Sequence, residues 1–220
     1  MMKFDGTNLP EKVQKYLEEI YNDEALCDAF YDCDVEINDE EWVKDLEEDG
    51  SWLEEMMGPG ESSYHDIKPF ARDGSGALWV VLDDERIGYI GTEGECGIVA
   101  RNVDEFMNFI AVWRGYLSDC WDVDVLGSEE EFLNVLQDPE RVERPEEKER
   151  NDEAFDGMIE RHGFTRDLKK VYEMVKLGMT TEPCFEVKAT DEDYVDSYSL
   201  LGQDDGQEAL EELMQRIGKR

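Results

Sequence analysis

Two histidines, five cysteines and 58 carboxylates are the side chains of this 220-residue sequence best suited to chemistry. His65 stands beside Ser62, Ser63 and Asp66, which are the residue types of a base, a hydroxyl nucleophile and an orienting acid. A working triad is assembled in space from distant parts of a chain, and sequence neighbours seldom reach its geometry. His162 follows Arg161 at the end of a short apolar-periodic stretch, where the negative end of a helix dipole favours it without any catalytic role. No catalytic residue is expected, and the chain reads as a non-enzyme.

Metal and cofactor chemistry fare no better. Cys27, Cys33, Cys96, Cys120 and Cys184 are odd in number, widely spread and without a Cys-x-x-Cys pair, the pattern of reduced, mostly buried thiols. Zinc needs four thiolate or imidazole ligands at short spacings, and neither histidine neighbours a cysteine cluster. Carboxylate pairs such as Asp32/Asp34, Asp122/Asp124 and Asp191/Asp193 are expected by chance in so acidic a chain. None sits in a loop with the glycine and closing glutamate of a calcium site. Gly74-Ser75-Gly76, Gly88-Tyr89-Ile90-Gly91 and Gly94-Glu95-Cys96-Gly97 lack the Gly-Lys-Ser/Thr of a phosphate loop and do not lead from a strand into a helix. Hairpin turns are the expectation there, with no metal and no cofactor.

Charge is the strongest signal. The 58 acids face 22 bases, a formal net charge of −36. Residues 1–60 hold 19 acids against 4 bases and residues 121–160 hold 15 against 4, flanking a less acidic middle. Such a field repels nucleic acids and anionic membranes and attracts basic proteins, although it also serves solubility or tolerance of high salt. No basic stripe with interleaved aromatics supports nucleic-acid binding. No apolar run approaches the roughly 20 residues that span a bilayer, and the start lacks the pattern of a secretory signal. A cytoplasmic location is therefore expected. Hydrophobic residues make up 40% of the chain, enough for a buried core.

The elements that would carry these residues follow from periodicity. Thr7-Asn8-Leu9-Pro10 reads as a capped helix start, followed by Val13, Tyr16, Leu17 and Ile20 at helical spacing. Leu26, Ala29 and Phe30 continue the pattern. A third helix starts at Asp39 and breaks at Asp49-Gly50, and a short one carries Trp52 to Met57 before the turn Gly58-Pro59-Gly60. Ala77–Leu82 is a continuous apolar run rich in strand formers. Ile87–Ile90 and Gly97–Ala100 follow it, so an antiparallel meander is expected. Asn102 caps a helix facing inward through Phe106, Phe109, Ile110 and Trp113. Ser128 and Glu131 open another helix, whereas residues 138–153 read as a charged loop. Helices are expected around Phe155 to Ile159, from Leu168 to a stop at Gly178, and from Gln207 to Ile217, with an edge strand at Cys184–Val187.

The order of turns, strands and helix in the middle of the chain resembles the SUKH superfamily, which includes bacterial toxin-immunity proteins and fungal cell-wall-synthesis regulators. The residues that carry the likeness are Pro69-Phe70-Ala71-Arg72-Asp73-Gly74-Ser75-Gly76, the strand with Trp79, then Arg86-Ile87-Gly88-Tyr89-Ile90-Gly91-Thr92-Glu93-Gly94-Glu95, Gly97–Ala100 and the helix with Phe106. Gly74 and Gly76 would supply positive φ at the entry to the strand. Phe155, Ile159 and Gly163-Phe164 look like the family's closing helix and turn.

The resemblance implies an α+β domain over residues 1–165 with its core motif at 68–111, and residues 166–220 are expected as an extension packed on the same domain. The sheet should be mixed and largely antiparallel with helices on one face, between a helical N-terminal region and a helical C-terminal extension. By resemblance the function would be that of an immunity protein that binds and neutralises a toxin domain. The acidity makes that partner basic, a nuclease or other nucleic-acid-directed enzyme. The rival is a regulatory interaction module without a toxin. Candidate contacts are Asp32, Asp34, Glu36, Asp39, Glu40, Glu47 and Glu48, where bases are fewest.

Overall fold

A computed structural model describes residues 1–83, 85–138, 148–202 and 206–216. Helices α1 (Glu11–Asn22), α2 (Glu24–Tyr31), α3 (Glu40–Asp49) and α4 (Trp52–Met57) open the chain. Each apolar stripe turns inward, with Val13, Leu17, Ile20, Leu26, Phe30 and Val43 all buried. Asp23 and Asp39 cap α2 and α3 through their side chains. At α1 the expected capping side chain is absent. Pro10 precedes the helix without a side-chain bond, and Thr7 instead donates its hydroxyl to the Phe4 carbonyl at 2.9 Å.

The strands are β1 (Gly60–Ser62), β2 (Ile67–Arg72), β3 (Leu78–Leu82), β4 (Arg86–Ile90) and β5 (Glu95–Ala100), followed by α5 (Val103–Trp113). Consecutive pairs from β2 to β5 are antiparallel, which is the meander the sequence pattern predicts, with one further strand, β2, ahead of it. Gly88 lies inside β4 and Gly97 inside β5 rather than in hairpin turns. Every residue of β3 is buried, because both faces of the sheet are covered. Trp79, Val81, Ile87, Tyr89 and Val99 join the larger core with Phe106 and Ile110 of α5. Leu78, Val80, Leu82, Ile90 and Ile98 face a smaller core with Trp52, Tyr64, Phe185 and Val187. A strand wet on one face would alternate; a strand dry on both reads as an unbroken apolar run.

The β2–β3 turn is built on Asp73. Its Oδ1 accepts the Ser75 amide and hydroxyl, each at 2.8 Å, and the Ala77 amide at 2.9 Å; its Oδ2 accepts the Tyr89 hydroxyl at 2.6 Å. Of the two glycines expected at positive φ, Gly76 adopts it (+96°) and Gly74 does not, since Gly74 stands at the turn's start and Gly76 at its reversal into β3.

After α5 come a 3-10 turn (Leu117–Cys120), α6 (Val123–Gly127), α7 (Glu129–Gln137), α8 (Lys148–His162), α9 (Leu168–Met179), β6 (Val187–Ala189), β7 (Tyr198–Ser199) and α10 (Gly206–Arg216). Residues 148–153, expected as loop, form the first turns of α8, and 139–147 lie outside the described residues. Phe155 anchors that helix against Phe30 of α2, with ring centroids 5.6 Å apart. Gly178 does not stop α9. It lets the helix lie on β5, where a Cβ would stand 2.3 Å from the Val99 carbonyl oxygen. β7 pairs in parallel with β5 and completes the five-stranded sheet β2-β3-β4-β5-β7. The edge strand expected at Cys184–Val187 begins only at Val187 and pairs with β1 in a separate two-stranded sheet. Ile217 is outside the described residues. No helix among the described residues is long and apolar enough to cross a membrane. The fold is thus α+β, with a mixed, largely antiparallel sheet.

Candidate partner-binding cleft

Three helix ends and one hairpin turn meet around a cleft of about 200 Å³. The C-terminus of α2 brings Tyr31, Asp32 and, just beyond, Asp34 and Glu36. The β2–β3 turn brings Gly74, the end of α5 brings Arg114, and the first turns of α8 bring Lys148, Asn151 and Asp152. Four carboxylates therefore face two cations, with Tyr31 half exposed at the rim.

The two cations already have partners. Arg114, in the left-handed region at φ 54°, donates to the Ala111 carbonyl at 2.9 Å and to Asp152 at 2.8 Å, and it also pairs with Asp156. Lys148 binds the other Asp152 oxygen. Burial alone would push the Asp152 carboxyl up, but the hydrogen bonds from Lys148 and Arg114 outweigh it and hold the group below the usual carboxylate range. Asn151 donates to Asp32 at 2.7 Å. Its own carbonyl oxygen is buried and accepts no hydrogen bond among the described residues. The cleft is therefore rich in acceptors, and its fixed charges are predominantly negative.

The seven sequence-predicted contacts divide. Asp32, Asp34 and Glu36 line the cleft; Asp39, Glu40, Glu47 and Glu48 belong to α3 and its cap. Most of them also serve the fold. Asp34 Oδ1 accepts the Gly74 amide at 2.9 Å while its backbone carbonyl accepts the Trp79 indole N–H at 3.1 Å. Glu36 forms a two-pronged pair with Arg72 at 2.8 and 2.9 Å. Glu40 accepts the Gly6 amide at 2.7 Å, and Glu47 the Asn8 amide at 2.8 Å. Glu48 is exposed.

Of the groups weighed for catalysis, Ser62, His65 and Asp66 line one open groove beside β1 and β2. Ser63 donates its hydroxyl to the Cys184 carbonyl at 2.8 Å, and Asp66 pairs with Lys68. His162, at the end of α8, meets Glu19 of α1 at 2.6 Å. All five cysteines are free, and burial pushes the Cys96 thiol up to about 11. Among the described residues no group of three or more His, Cys, Asp or Glu is placed to hold a metal.

Tyr31, Arg114, Lys148, Asn151 and Asp152 are cleft residues that sequence reasoning missed. The i,i+4 spacing of Lys148 and Asp152 was a visible helix signal, masked by the charge density of the preceding stretch. No protein-family model, curated protein or solved structure matches this chain.

Proposed function

We propose that this chain is a non-enzymatic immunity-type protein that binds and neutralises a basic toxin domain, a nuclease or another nucleic-acid-directed enzyme. The observation that carries the reading is the cleft. It presents carboxylates beside an exposed tyrosine, and its own cations are held by neighbouring acids. Its volume of about 200 Å³ falls below the roughly 300–1,000 Å³ of small-molecule sites. It suits a single side chain inserted from a protein surface. A guanidinium is the best guest, because it is planar, weakly hydrated and able to donate to several carboxylates at once. The wider field of −36 would draw such a partner in and would favour a surface shaped to bind nucleic acid. The turn, strand and helix order that resembles the SUKH superfamily supports the same class.

The test is to isolate the protein retained by this chain in its host and titrate it at low and high salt. A basic partner whose activity disappears in a stoichiometric complex, with an association rate falling steeply as salt rises, is the expected result. An acidic partner contradicts the reading. A basic partner that stays fully active in the complex would instead favour a regulatory interaction module.

A further inference from the structure

One loop leaves adjacent large apolar side chains in water. Between β6 and β7 every residue from 191 to 196 is exposed, and Tyr194 and Val195 are 51% and 83% exposed. The loop is nonetheless pinned at both ends. The Thr190 amide and hydroxyl donate to the Pro59 carbonyl at 2.9 and 3.1 Å. The Ala189 amide donates to Asp196 at 2.8 Å, and the Ser197 amide to the Val187 carbonyl at 2.8 Å.

Tyr194 has a seat of its own. Its ring lies against Gly58, which sits at φ +75°, and a Cβ there would stand 2.2 Å from Tyr194 Cδ1. The Gly58-Pro59-Gly60 turn thus does more than separate α4 from β1. It gives the ring bare backbone to rest on and leaves about half of the side chain in solvent. An aromatic held in place before a partner arrives loses little freedom on binding, the property that makes tyrosine effective in binding loops.

Asp191, Glu192, Asp193 and Asp196 surround the pair, and among the described residues no ion pair reaches any of them. Their sign decides the occupant. A second copy of a chain at −36, a nucleic acid or an anionic membrane would be repelled. We propose that the β6–β7 loop is a docking tip for a basic protein segment: Tyr194 and Val195 take the apolar stem of an arginine or lysine, and Glu192 and Asp193 hold its charged head. A cation over the tyrosine face is attracted by the ring as well as by the carboxylates. The inference rests on the reading that the partner is basic, and it adds a surface other than the cleft.

The experiment is an NMR titration of the full chain at low salt with acetyl-Gly-Arg-Arg-Gly-amide, and with its citrulline counterpart as the neutral control. The arginine peptide should shift Gly58, Tyr194 and Val195 saturably, and the citrulline peptide should not. Glu192→Gln with Asp193→Asn should weaken the site by about threefold to tenfold, the scale of exposed charge contacts. Tyr194→Ala should abolish saturation, and Tyr194→Phe, which keeps the ring on its seat, should retain it. Unmoved Ala189 and Thr190 amides would show that the loop stays folded in each variant. Saturable shifts confined to Tyr31 and Asp32 would overturn the loop assignment and leave the cleft reading standing. Absence of saturable shifts anywhere would contradict both, and shifts that follow protein concentration instead of peptide would assign the loop to self-association.

Discussion

Carboxylates of the N-terminal helices and those of the β6–β7 loop look alike in sequence, yet they meet different surroundings. On the helices, Glu40 and Glu47 accept the amides of Gly6 and Asn8, Glu19 holds Arg161 and His162, and Asp28 holds Arg150. These acids fasten the chain's beginning and α8 to the domain. In the loop, Asp191 and Asp196 accept nearby amides, and all four acids face solvent around Tyr194 and Val195. Charge density therefore locates a field and not a contact. An acid bonded to a backbone amide is held in place and keeps only its remaining lone pairs for a partner, whereas Glu192 and Asp193, exposed beside a fixed aromatic, keep all of theirs.

The comparison extends inward to Trp79 and Asp73, where the fold should be most sensitive. Trp79 is 2% exposed, packs on Tyr89 and Phe106 with centroids 4.8 and 5.3 Å away, and donates to Asp34. Trp79→Ala should cost about 3–5 kcal/mol by denaturant unfolding; a loss under about 1 kcal/mol would contradict its burial.

Asp73→Asn comes next, at about 1.5–3 kcal/mol for the hydrogen bonds to a charged, buried group. Burial raises the Asp73 pKa, and the bonds from Tyr89, Ser75 and Ala77 outweigh it, so the folded value lies below the ordinary one. With a depressed folded pKa, the ionic contribution is fully present above the unfolded value of about 3.9 and is lost as pH falls through the folded one. The gap between wild type and Asp73→Asn should therefore narrow in acid. A gap that widened there would reverse the assignment.

Glu36→Gln should matter less. Its two-pronged pair with Arg72 is part exposed, so about 0.5–1 kcal/mol is expected after solvent screening. Thermal unfolding at low and high salt checks this: the loss should shrink as salt rises.

The helices of the first sixty residues were legible because apolar spacing and the capping Asp39 agree. β2 was not, since Pro69 interrupts a short edge strand where a missing amide is tolerated. The edge strand at β6 was expected but set three residues early, whereas β7 spans two residues, too few for a pattern, and owes its place to pairing with β5. The cleft was half legible. Asp32, Asp34 and Glu36 stand out by density, but Asn151 reaches Asp32 from 119 residues away, a contact that only the packing of α8 on α2 creates. The loop's role was hidden for the opposite reason: its acids resemble any solvated turn until Gly58 is seen beneath Tyr194.

The most direct test of the distinction between bonded and exposed acids needs no partner. Unfolding free energies should be measured for two double variants of equal charge change, Glu40→Gln with Glu47→Gln and Glu192→Gln with Asp193→Asn. The first pair should lose about 1–2 kcal/mol, because two amide anchors of residues 1–9 are weakened. The second should stay within about 0.5 kcal/mol of wild type, as for surface substitutions without a structural role. Equal losses, or a larger loss in the loop, would contradict the account.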